Sequence, residues 1–131
     1  MDEEWCYQTL RRCRWPEGVT CPRCGSTRVT VHTRSERTPK LKYLCLHCRR
    51  TFTDLTGTIF ARSNLPLSRW FHGLSLLPQG LSTVDYARAL SIKWDTARRL
   101  FRCLLVSGGQ PGLVRELQRV LSGEPRVRKA G

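Results

Sequence analysis

Apolar and polar residues recur along this chain with two different periods. Between residues 19 and 57, apolar residues and threonines occupy every second position in short stretches, which is typical of β-strands. The apolar residues that mark these strands are Val29, Val31, Leu41, Tyr43 and Phe52. The polar segment 33–40 contains a proline and predicts a loop between two of the strands. From Leu67 onward the spacing changes to three and four residues, which indicates helices.

Five segments have the spacing of a helix. The first covers residues 2–14, where acidic residues crowd the start and arginines the end, as the helix dipole favours. In this segment Trp5, Thr9 and Cys13 are four residues apart, with Cys6 and Leu10 beside them, and predict one mainly apolar face. The other predicted helices cover residues 67–77, 83–90, 94–106 and 112–122. Proline or glycine residues follow three of them and explain where they end.

The net charge narrows the class of partner. The 131 residues include 23 lysines and arginines against 10 acidic residues, a formal net charge of +13. Such a surplus favours nucleic acid over an anionic membrane surface. The longest apolar run is too short to span a bilayer, and the acidic N-terminus is unlike a signal peptide. We therefore expect a cytoplasmic, nucleoid-associated protein of bacterial or archaeal type without a membrane partner.

Four of the seven cysteines form two Cys-x-x-Cys pairs separated by a long spacer. This spacing matches a tetrahedral zinc site, because two residues between cysteines let one tight turn aim both sulfurs at the same ion. Gly25 permits the chain to complete the first turn. A closed shell of four thiolates leaves no open position, which makes the metal structural. We predict one Zn²⁺ bound by Cys21, Cys24, Cys45 and Cys48.

The remaining histidines and cysteines are interpreted as structural or solvent-facing residues. His47 lies inside the second Cys-x-x-Cys turn, where its side chain is expected to point away from the shared ion. Cys6, Cys13 and Cys103 lack an obvious fourth ligand for a second site, and we expect them to be buried hydrophobic residues.

Residues 82–105 have the pattern of a helix-turn-helix. Ala87 supplies the small residue at which two helices cross closely. Ser82 and Asp85 form a capping pair for the first helix. The turn departs from the usual pattern at two positions, because Ser91 stands where glycine is common and Lys93 stands where serine often caps the second helix.

The second of these helices has one apolar and one basic side. Its predicted buried stripe consists of Ala97, Leu100, Phe101, Leu104 and Leu105. Arg98, Arg99 and Arg102 fall on the opposite side, where a recognition helix faces the major groove. Trp94 either touches bases or packs on the preceding helix.

Several further motifs are found around these elements. They are Arg14-Trp15-Pro16 with Gly18, Phe52, the segment Thr56–Phe60, Leu65-Pro66-Leu67 with Trp70-Phe71, and Cys6-Tyr7 with Leu10. With these motifs, residues 5–106 resemble the N-terminal DNA-binding part of zinc-ribbon insertion-sequence transposases. The resemblance implies a zinc ribbon and a helix-turn-helix that grip the transposon end. Full-length members continue into a nuclease domain with an acidic triad. After the helix-turn-helix this chain offers only Glu116 and Glu124, and we expect no catalysis.

The sequence therefore predicts a small α+β protein, a zinc ribbon of short antiparallel strands followed by an all-α helix-turn-helix bundle. The predicted parts are an N-terminal helix at 1–14, the ribbon at 15–57, the bundle with a C-terminal helix at 58–123 and a basic tail at 124–131. The predicted nucleic-acid contacts of the bundle are Lys93, Thr96, Arg98, Arg99 and Arg102. The predicted phosphate contacts of the ribbon are Arg23, Arg28, Arg49 and Arg50.

Three interpretations of function remain open at this point. The first is a zinc-dependent protein that binds double-stranded DNA as a transposase-derived recognition module or accessory subunit, without catalysis. The second is a structural subunit of a nucleoprotein complex that holds RNA or a DNA–RNA duplex by its backbone. The third is a truncated transposase. Another protein subunit is a possible further partner, and the last helix either closes the core or binds it.

Overall fold

The computed structural model of the chain describes residues 2–61, 65–106 and 111–121. The chain divides into two compact units, Met1–Ser63 and Asn64–Gly131, which we call the ribbon unit and the helical unit. The ribbon unit contains an antiparallel sheet and the helical unit contains helices, which confirms the predicted small α+β class. The division differs from the predicted boundary between residues 57 and 58, and the N-terminal helix belongs to the ribbon unit. The predicted tail 124–131 lies outside the described residues.

The ribbon unit consists of one helix followed by a three-stranded antiparallel sheet of order β1-β2-β3. Its elements are α1 (Glu3–Arg14), β1 (Val29–Arg34), β2 (Leu41–Cys45) and β3 (Thr51–Thr53). The register of β1 against β2 shifts between Val31 and Thr33, which indicates a bulge or irregularity there. Strand β1 extends to Arg34 and therefore includes the first two residues of the segment predicted to be a loop.

Helix α1 begins at a capping residue and buries most of the predicted apolar face, with Trp5 as the exception. The side chain of Asp2 accepts a hydrogen bond from the backbone N–H of Trp5 at 2.7 Å, which satisfies one free donor of the first turn. The buried residues are Cys6, Tyr7, Thr9 and Leu10. Trp5 is 38% exposed. The prediction of Trp5 as part of the buried face was wrong, because the stripe is centred one position further along and Trp5 lies at its edge.

A small aromatic cluster forms the core beside the sheet. The rings of Tyr43 and Phe52 stack with centroids 5.2 Å apart, and Trp15 meets Tyr43 edge-on at 5.6 Å. Cys21 and Cys45 belong to the same buried cluster. The core of the ribbon is therefore continuous with the residues predicted to bind zinc.

The helical unit contains four α-helices among the described residues. They are α2 (Leu67–Leu76), α3 (Thr83–Leu90), α4 (Trp94–Val106) and α5 (Pro111–Leu121). Helix α2 ends one residue earlier than predicted because a short 3₁₀-helix, Leu77–Gln79, follows it around Pro78, which has no backbone N–H to donate. Helices α3 and α4 have the predicted bounds.

Helix α2 occupies the middle of the helical unit and packs against α3, α4 and α5. The apolar residues buried in this unit are Leu67, Trp70, Phe71, Leu74, Tyr86, Ala87, Leu90, Ala97, Leu100, Leu104, Val114 and Leu117. Residues at helical spacing on four helices therefore form one apolar core. No helix in the described parts of the chain is long and apolar enough to cross a membrane.

Candidate metal centre and basic surfaces

The four predicted zinc ligands converge on one point in the ribbon unit. Their Sγ atoms all lie within 4.8 Å of one another. The Sγ atoms of Cys21 and Cys48 are 3.7 Å apart, and those of Cys24 and Cys45 are 3.5 Å apart. A tetrahedral zinc ion with Zn–S bonds of about 2.3 Å places its sulfurs about 3.8 Å apart. The spacing of the four sulfurs therefore fits one zinc ion and confirms the prediction of a structural zinc site.

Two turns of similar geometry carry the ligand pairs. The backbone N–H of Gly25 donates to the carbonyl of Cys21 at 2.9 Å, and the backbone N–H of Arg49 donates to the carbonyl of Cys45 at the same distance. Gly25 has φ +76°, as its predicted turn role requires, and Arg49 has φ +65°. The sequence analysis missed the special backbone of Arg49. Its position directly after the second Cys-x-x-Cys, equivalent to that of Gly25, was the available signal.

Backbone amides stabilise two of the sulfurs as thiolates. Burial alone raises the pKa of Cys21, but hydrogen bonds from the backbone N–H groups of Cys24 and Arg23 outweigh it and lower this pKa to about 6. For Cys45, a hydrogen bond from the backbone N–H of Cys48 is the main cause that lowers the pKa of the thiol. Because zinc binds the deprotonated sulfur, these amides favour the ligand form of the cysteines.

The other candidate ligands lie apart from this site. His32 and His47 are exposed. Within the described residues, the four cysteines form the only group of three or more potential metal ligands. Cys6 is buried as expected, and burial raises the pKa of its thiol to about 12. Cys13 and Cys103 are half-buried, which means that the expected full burial is wrong for both.

A buried carboxylate that the sequence analysis missed connects α1 to the sheet. Asp54 is 0% exposed. Its Oδ1 and Oδ2 accept hydrogen bonds from Nε and Nη2 of Arg11, at 3.1 and 2.9 Å. The hydroxyl of Tyr43 donates to Oδ1 at 2.6 Å and the backbone N–H of Leu41 donates to Oδ2 at 2.8 Å. Every oxygen of the carboxylate is therefore satisfied, as burial of a charge requires.

A second arginine of α1 binds the same part of the sheet. Nη1 of Arg14 donates to the carbonyl of Asp54 at 2.8 Å, and Nη2 donates to the carbonyl of Thr56. The guanidinium also lies over the ring of Trp15, 4.5 Å from its centroid. Two of the three arginines at the end of α1, Arg11 and Arg14, therefore have structural partners. They explain why the segment after β3 belongs to the ribbon unit rather than to the helices.

Three of the four predicted ribbon contacts lie together beside the zinc site. The side chains of Arg23, Arg49 and Arg50, with Thr51, line an open cleft of about 490 Å³. Nη1 of Arg23 donates to the carbonyl of Thr51 at 2.7 Å, which fixes that guanidinium across the cleft. Arg28 is exposed but does not line the cleft.

Helix α3 ends in a Schellman motif at the predicted turn. The backbone N–H of Ile92 donates to the carbonyl of Ala87 at 3.1 Å, and the N–H of Ser91 donates to the carbonyl of Arg88 at 3.2 Å. Ser91 has φ +56° and ψ +45°, the left-handed conformation that glycine adopts most easily. Serine thus takes the turn position in which glycine is common.

Both ends of α3 are held by further hydrogen bonds. The hydroxyl of Ser82 accepts from the backbone N–H of Asp85 at 3.2 Å, as the predicted capping pair requires. Nη1 of Arg69 in α2 donates to the carbonyl of Leu90 at 2.7 Å and so satisfies the last carbonyl of α3. Ala87 and Ala97 are both buried where α3 and α4 pack.

Helix α4 separates apolar from basic side chains as predicted. Ala97, Leu100 and Leu104 are buried, whereas Phe101 is half-buried. The predicted burial of Leu105 lies outside the described side chains. Of the predicted contacts, Lys93, Arg98, Arg99 and Arg102 are exposed and Thr96 is half-buried.

The first residue of α4 does not pack into the core. Trp94 is 47% exposed, and the guanidinium of Arg98 lies 5.5 Å from its ring centroid. Of the two roles left open for Trp94, complete packing on the preceding helix does not occur. The ring and the guanidinium form one exposed surface at the start of α4.

Comparison with known proteins supports the resemblance over the N-terminal part of the chain. Residues 1–51 match the family described as the transposase zinc-ribbon domain. An uncharacterized protein in transposable element ISH50 from Halobacterium salinarum is 44% identical over 62 residues, which are 47% of this chain and 20% of that protein. Uncharacterized protein P14 of Pseudoalteromonas phage PM2 is 46% identical over 41 residues, which are 31% of this chain and 39% of that protein.

These matches define what the chain shares with its relatives. The chain spans about a fifth of the ISH50 protein and about two fifths of the phage protein. No solved structure matches it significantly. The matched family and the four-sulfur geometry agree: residues 1–51 are similar to transposase zinc-ribbon domains, and the ribbon unit has one structural zinc site. The chain is also similar to a protein of a mobile element.

Proposed function

We propose that the chain is a zinc-dependent protein that binds double-stranded DNA, as a transposase-derived recognition module or accessory subunit without catalysis. In this proposal α3 and α4 are a helix-turn-helix and α4 lies in the major groove. The observation that carries it is the face of α4, where Arg98, Arg99 and Arg102 are exposed opposite the buried Leu100 and Leu104. Arginine is the residue that most often reads guanine in the major groove.

The ribbon adds phosphate contacts in this proposal. Arg23, Arg28, Arg49 and Arg50 are exposed on the ribbon unit, and positive charge on exposed arginines favours the DNA backbone without reading its sequence. The proposed division of labour is base readout by α4 and backbone binding by the ribbon. We place the protein in the cytoplasm with nucleoid DNA as its main partner and another protein subunit as a further one.

The proposal assigns no catalytic role to this chain. DNA strand transfer by two metal ions needs several converging carboxylates. In the described parts of the chain, the only group of three or more potential metal ligands is the cysteine cluster, whose four sulfurs fill the shell of a structural ion. We expect no DNA cleavage by the zinc-loaded chain with magnesium or manganese. Cleavage that a single carboxylate substitution abolishes would contradict this part of the proposal.

A salt titration of arginine variants tests the proposed readout. Arg98→Gln, Arg99→Gln and Arg102→Gln are measured on a duplex selected from a random pool and on its scrambled version. If one of these residues reads a base edge, its loss costs about 1–3 kcal/mol on the selected duplex and much less on the scrambled one. Arg115→Gln, at an exposed position of α5, is the matched control and should change neither affinity by more than about twofold.

The structural-subunit interpretation is the second candidate, because the arginine cleft of the ribbon fits backbone binding without base readout. It predicts that every α4 variant weakens both duplexes equally and that RNA or a DNA–RNA duplex binds as well as DNA. That result would replace the first proposal by the second. A truncated transposase is distinguished by a nuclease reading frame directly downstream of the gene.

A further inference from the structure

The two turns that carry the zinc ligands also carry the residues of the arginine cleft. Arg23 lies between Cys21 and Cys24, and Arg49 directly follows Cys48. From this arrangement we propose that the arginine cleft, defined by Arg23, Arg49, Arg50 and Thr51, is a discrete site for a backbone phosphate and is built by zinc binding. This inference deepens the proposed function and rests on it, because it takes the phosphate to be that of a nucleic acid.

Hydrogen bonds of the backbone position the cleft on both turns. The carbonyl of Arg50 accepts from the N–H of Cys45 at 3.0 Å, which ties the end of the second turn to its first ligand. Arg49 stands in the left-handed conformation that completes this turn. Arg23 reaches from the first turn to the carbonyl of Thr51 at the start of β3. The cleft is therefore built from both ligand-bearing turns, and we expect it to form when zinc holds these turns together.

The guanidinium of Arg23 makes one hydrogen bond within the ribbon unit. One of its nitrogens is held by the carbonyl of Thr51, which leaves its remaining N–H donors for an anion. Holding a side chain in place in advance removes part of the entropic cost of binding. Two further guanidiniums on the same cleft allow bidentate hydrogen bonds to phosphate oxygens.

The charge balance leaves a positive surplus at the cleft. A zinc ion with four thiolates carries a net charge of −2, and the three arginines carry +3. In the described residues, no carboxylate forms a salt bridge with Arg23, Arg49 or Arg50. The competing explanation is that the arginines only neutralise the thiolates. The two explanations differ in what the arginine variants do to phosphate binding and to zinc retention.

The experiment uses the zinc-loaded full chain and four variants, Arg23→Gln, Arg49→Gln, Arg50→Gln and the control Arg37→Gln. Arg37 is exposed in the connection between β1 and β2 and does not line the cleft. The probes are a scrambled 12-base-pair duplex and inorganic phosphate at equal phosphate concentration. Affinity is measured across a salt series, side-chain Nε–Hε resonances of the arginines report contact, and a colorimetric chelator reports zinc release.

For the three cleft variants we expect a loss of duplex affinity of about tenfold and a salt slope shallower by about one for each lost contact. The chelator should release zinc from them at the rate found for the unsubstituted chain, and Arg37→Gln should change affinity by less than about twofold. The duplex should shift the resonances of Arg23, Arg49 and Arg50 at concentrations about tenfold below those at which inorganic phosphate does so.

Three results would overturn the inference. Faster zinc release with unchanged duplex affinity would mean that the arginines only neutralise the thiolates. Equal binding of inorganic phosphate and duplex would assign the cleft to the free ion. Unchanged affinity in all cleft variants, beside reduced affinity in the α4 variants, would leave the proposed function intact without the cleft. If the unsubstituted chain binds no duplex even at low salt, the proposed function itself is contradicted.

Discussion

In the ribbon unit the described interior includes a carboxylate, two threonines and two zinc-binding cysteines, whereas in the helical unit the buried residues are apolar or aromatic. The large apolar and aromatic side chains that are buried in the described part of the ribbon unit are Tyr7, Leu10, Tyr43, Phe52 and Phe60. The helical unit buries apolar residues from α2, α3, α4 and α5. Hydrophobic burial therefore stabilises both units, and the ribbon unit adds metal coordination and a buried ionic network.

The arginines of both units include some with structural partners and some that are exposed. In the ribbon unit, the guanidinium groups of Arg11 and Arg14 donate hydrogen bonds to Asp54 and to backbone carbonyls. In α4 of the helical unit, Arg98, Arg99 and Arg102 are exposed. A high count of arginines therefore overstates the charge that is available to a nucleic acid. Each arginine has to be assigned by its contacts before the net charge is interpreted.

Removal of zinc is the largest expected effect and tests the comparison directly. Structural zinc contributes an apparent folding free energy of about 10–16 kcal/mol at neutral pH, and loss of one thiolate opens the closed shell. A chelator, or Cys48→Ser, should unfold the ribbon unit and leave the helical unit folded. In the amide NMR spectrum, only residues 2–61 should then lose the resonances of the folded state. Cys103→Ser, outside the metal site, is the control, and joint unfolding of both units would contradict the comparison.

Loss of the buried carboxylate is the next largest effect. Asp54→Asn removes the charge that pairs with Arg11 and should lower the free energy of unfolding of the ribbon unit by about 3 kcal/mol, the lower end of the range for buried pairs, because the half-buried guanidinium loses its counter-charge. Denaturant unfolding of the zinc-loaded chain measures this change. Asp85→Asn, at an exposed carboxylate of α3, should cost less than about 1 kcal/mol. An Asp54→Asn protein as stable as the parent would show that zinc alone stabilises the ribbon.

Two substitutions at the contact between α2 and α3 should have smaller effects, of opposite sign, on the stability of the helical unit. A Cβ added at Gly73 would lie 2.5 Å from the hydroxyl oxygen of Tyr86 and 2.9 Å from Cδ2 of Leu100. Gly73→Ala should therefore cost about 1–3 kcal/mol through overpacking. The buried hydroxyl of Tyr86 has no hydrogen-bond partner among the described residues, and Tyr86→Phe should stabilise the unit by about 1 kcal/mol. The double variant should recover part of the cost of Gly73→Ala.

The same tyrosine predicts how stability changes at alkaline pH. Burial raises the pKa of Tyr86 above its ordinary value of about 10. The unfolded chain then ionises before the folded one, and the stability of the helical unit should decline as the pH rises above about 10. Tyr86→Phe should reduce this decline in stability. Thermal unfolding of the chain after removal of zinc with a chelator measures it. An identical decline in the variant would locate the titration elsewhere.

The smallest expected effect compares the two zinc turns with each other. Arg49→Gly gives the second turn a glycine at the position that Gly25 occupies in the first turn. Glycine adopts the left-handed conformation of Arg49 without steric strain, which stabilises the folded state. Its greater freedom in the unfolded chain has the opposite effect on stability. The net change in the free energy of unfolding should therefore stay within about 1 kcal/mol. Zinc affinity from chelator competition should be unchanged, while Gly25→Arg should weaken it only slightly. A large loss of zinc affinity in Arg49→Gly would mean that the guanidinium stabilises the cluster.

The elements of the helical unit were predictable because its core is periodic. The spacing of Ala97, Leu100 and Leu104 by itself gives the buried side of α4, and Ser82 gives the start of α3. The zinc ligands were predictable for a related reason, since the two Cys-x-x-Cys turns are local motifs. In both cases the information lies within a few residues of the position that it describes.

What the sequence analysis missed depends on residues that are distant in the chain. Asp54 is one carboxylate beside a short strand, and its partner Arg11 is 43 positions away. Arg11 itself was assigned to the charge pattern of α1, which its position also satisfies. The exposure of Trp5 was missed for a related reason, because the edge of the buried face of α1 depends on the surface that the helix meets. Such pairings require the tertiary structure or correlated substitutions to identify them.

The pairing of Arg11 with Asp54 also affects when the ribbon unit can fold during its synthesis on the ribosome. Helix α1 leaves the exit tunnel first, but the carboxylate that it needs is synthesised 43 residues later. Cys6 and Leu10, which are buried in the folded unit, are exposed until the residues that cover them have been synthesised. The closed shell of four thiolates can form only when Cys45 and Cys48 have emerged. Cotranslational folding of the ribbon is therefore a late, concerted event, and a nascent chain stalled before residue 54 exposes an uncovered amphipathic helix to chaperones.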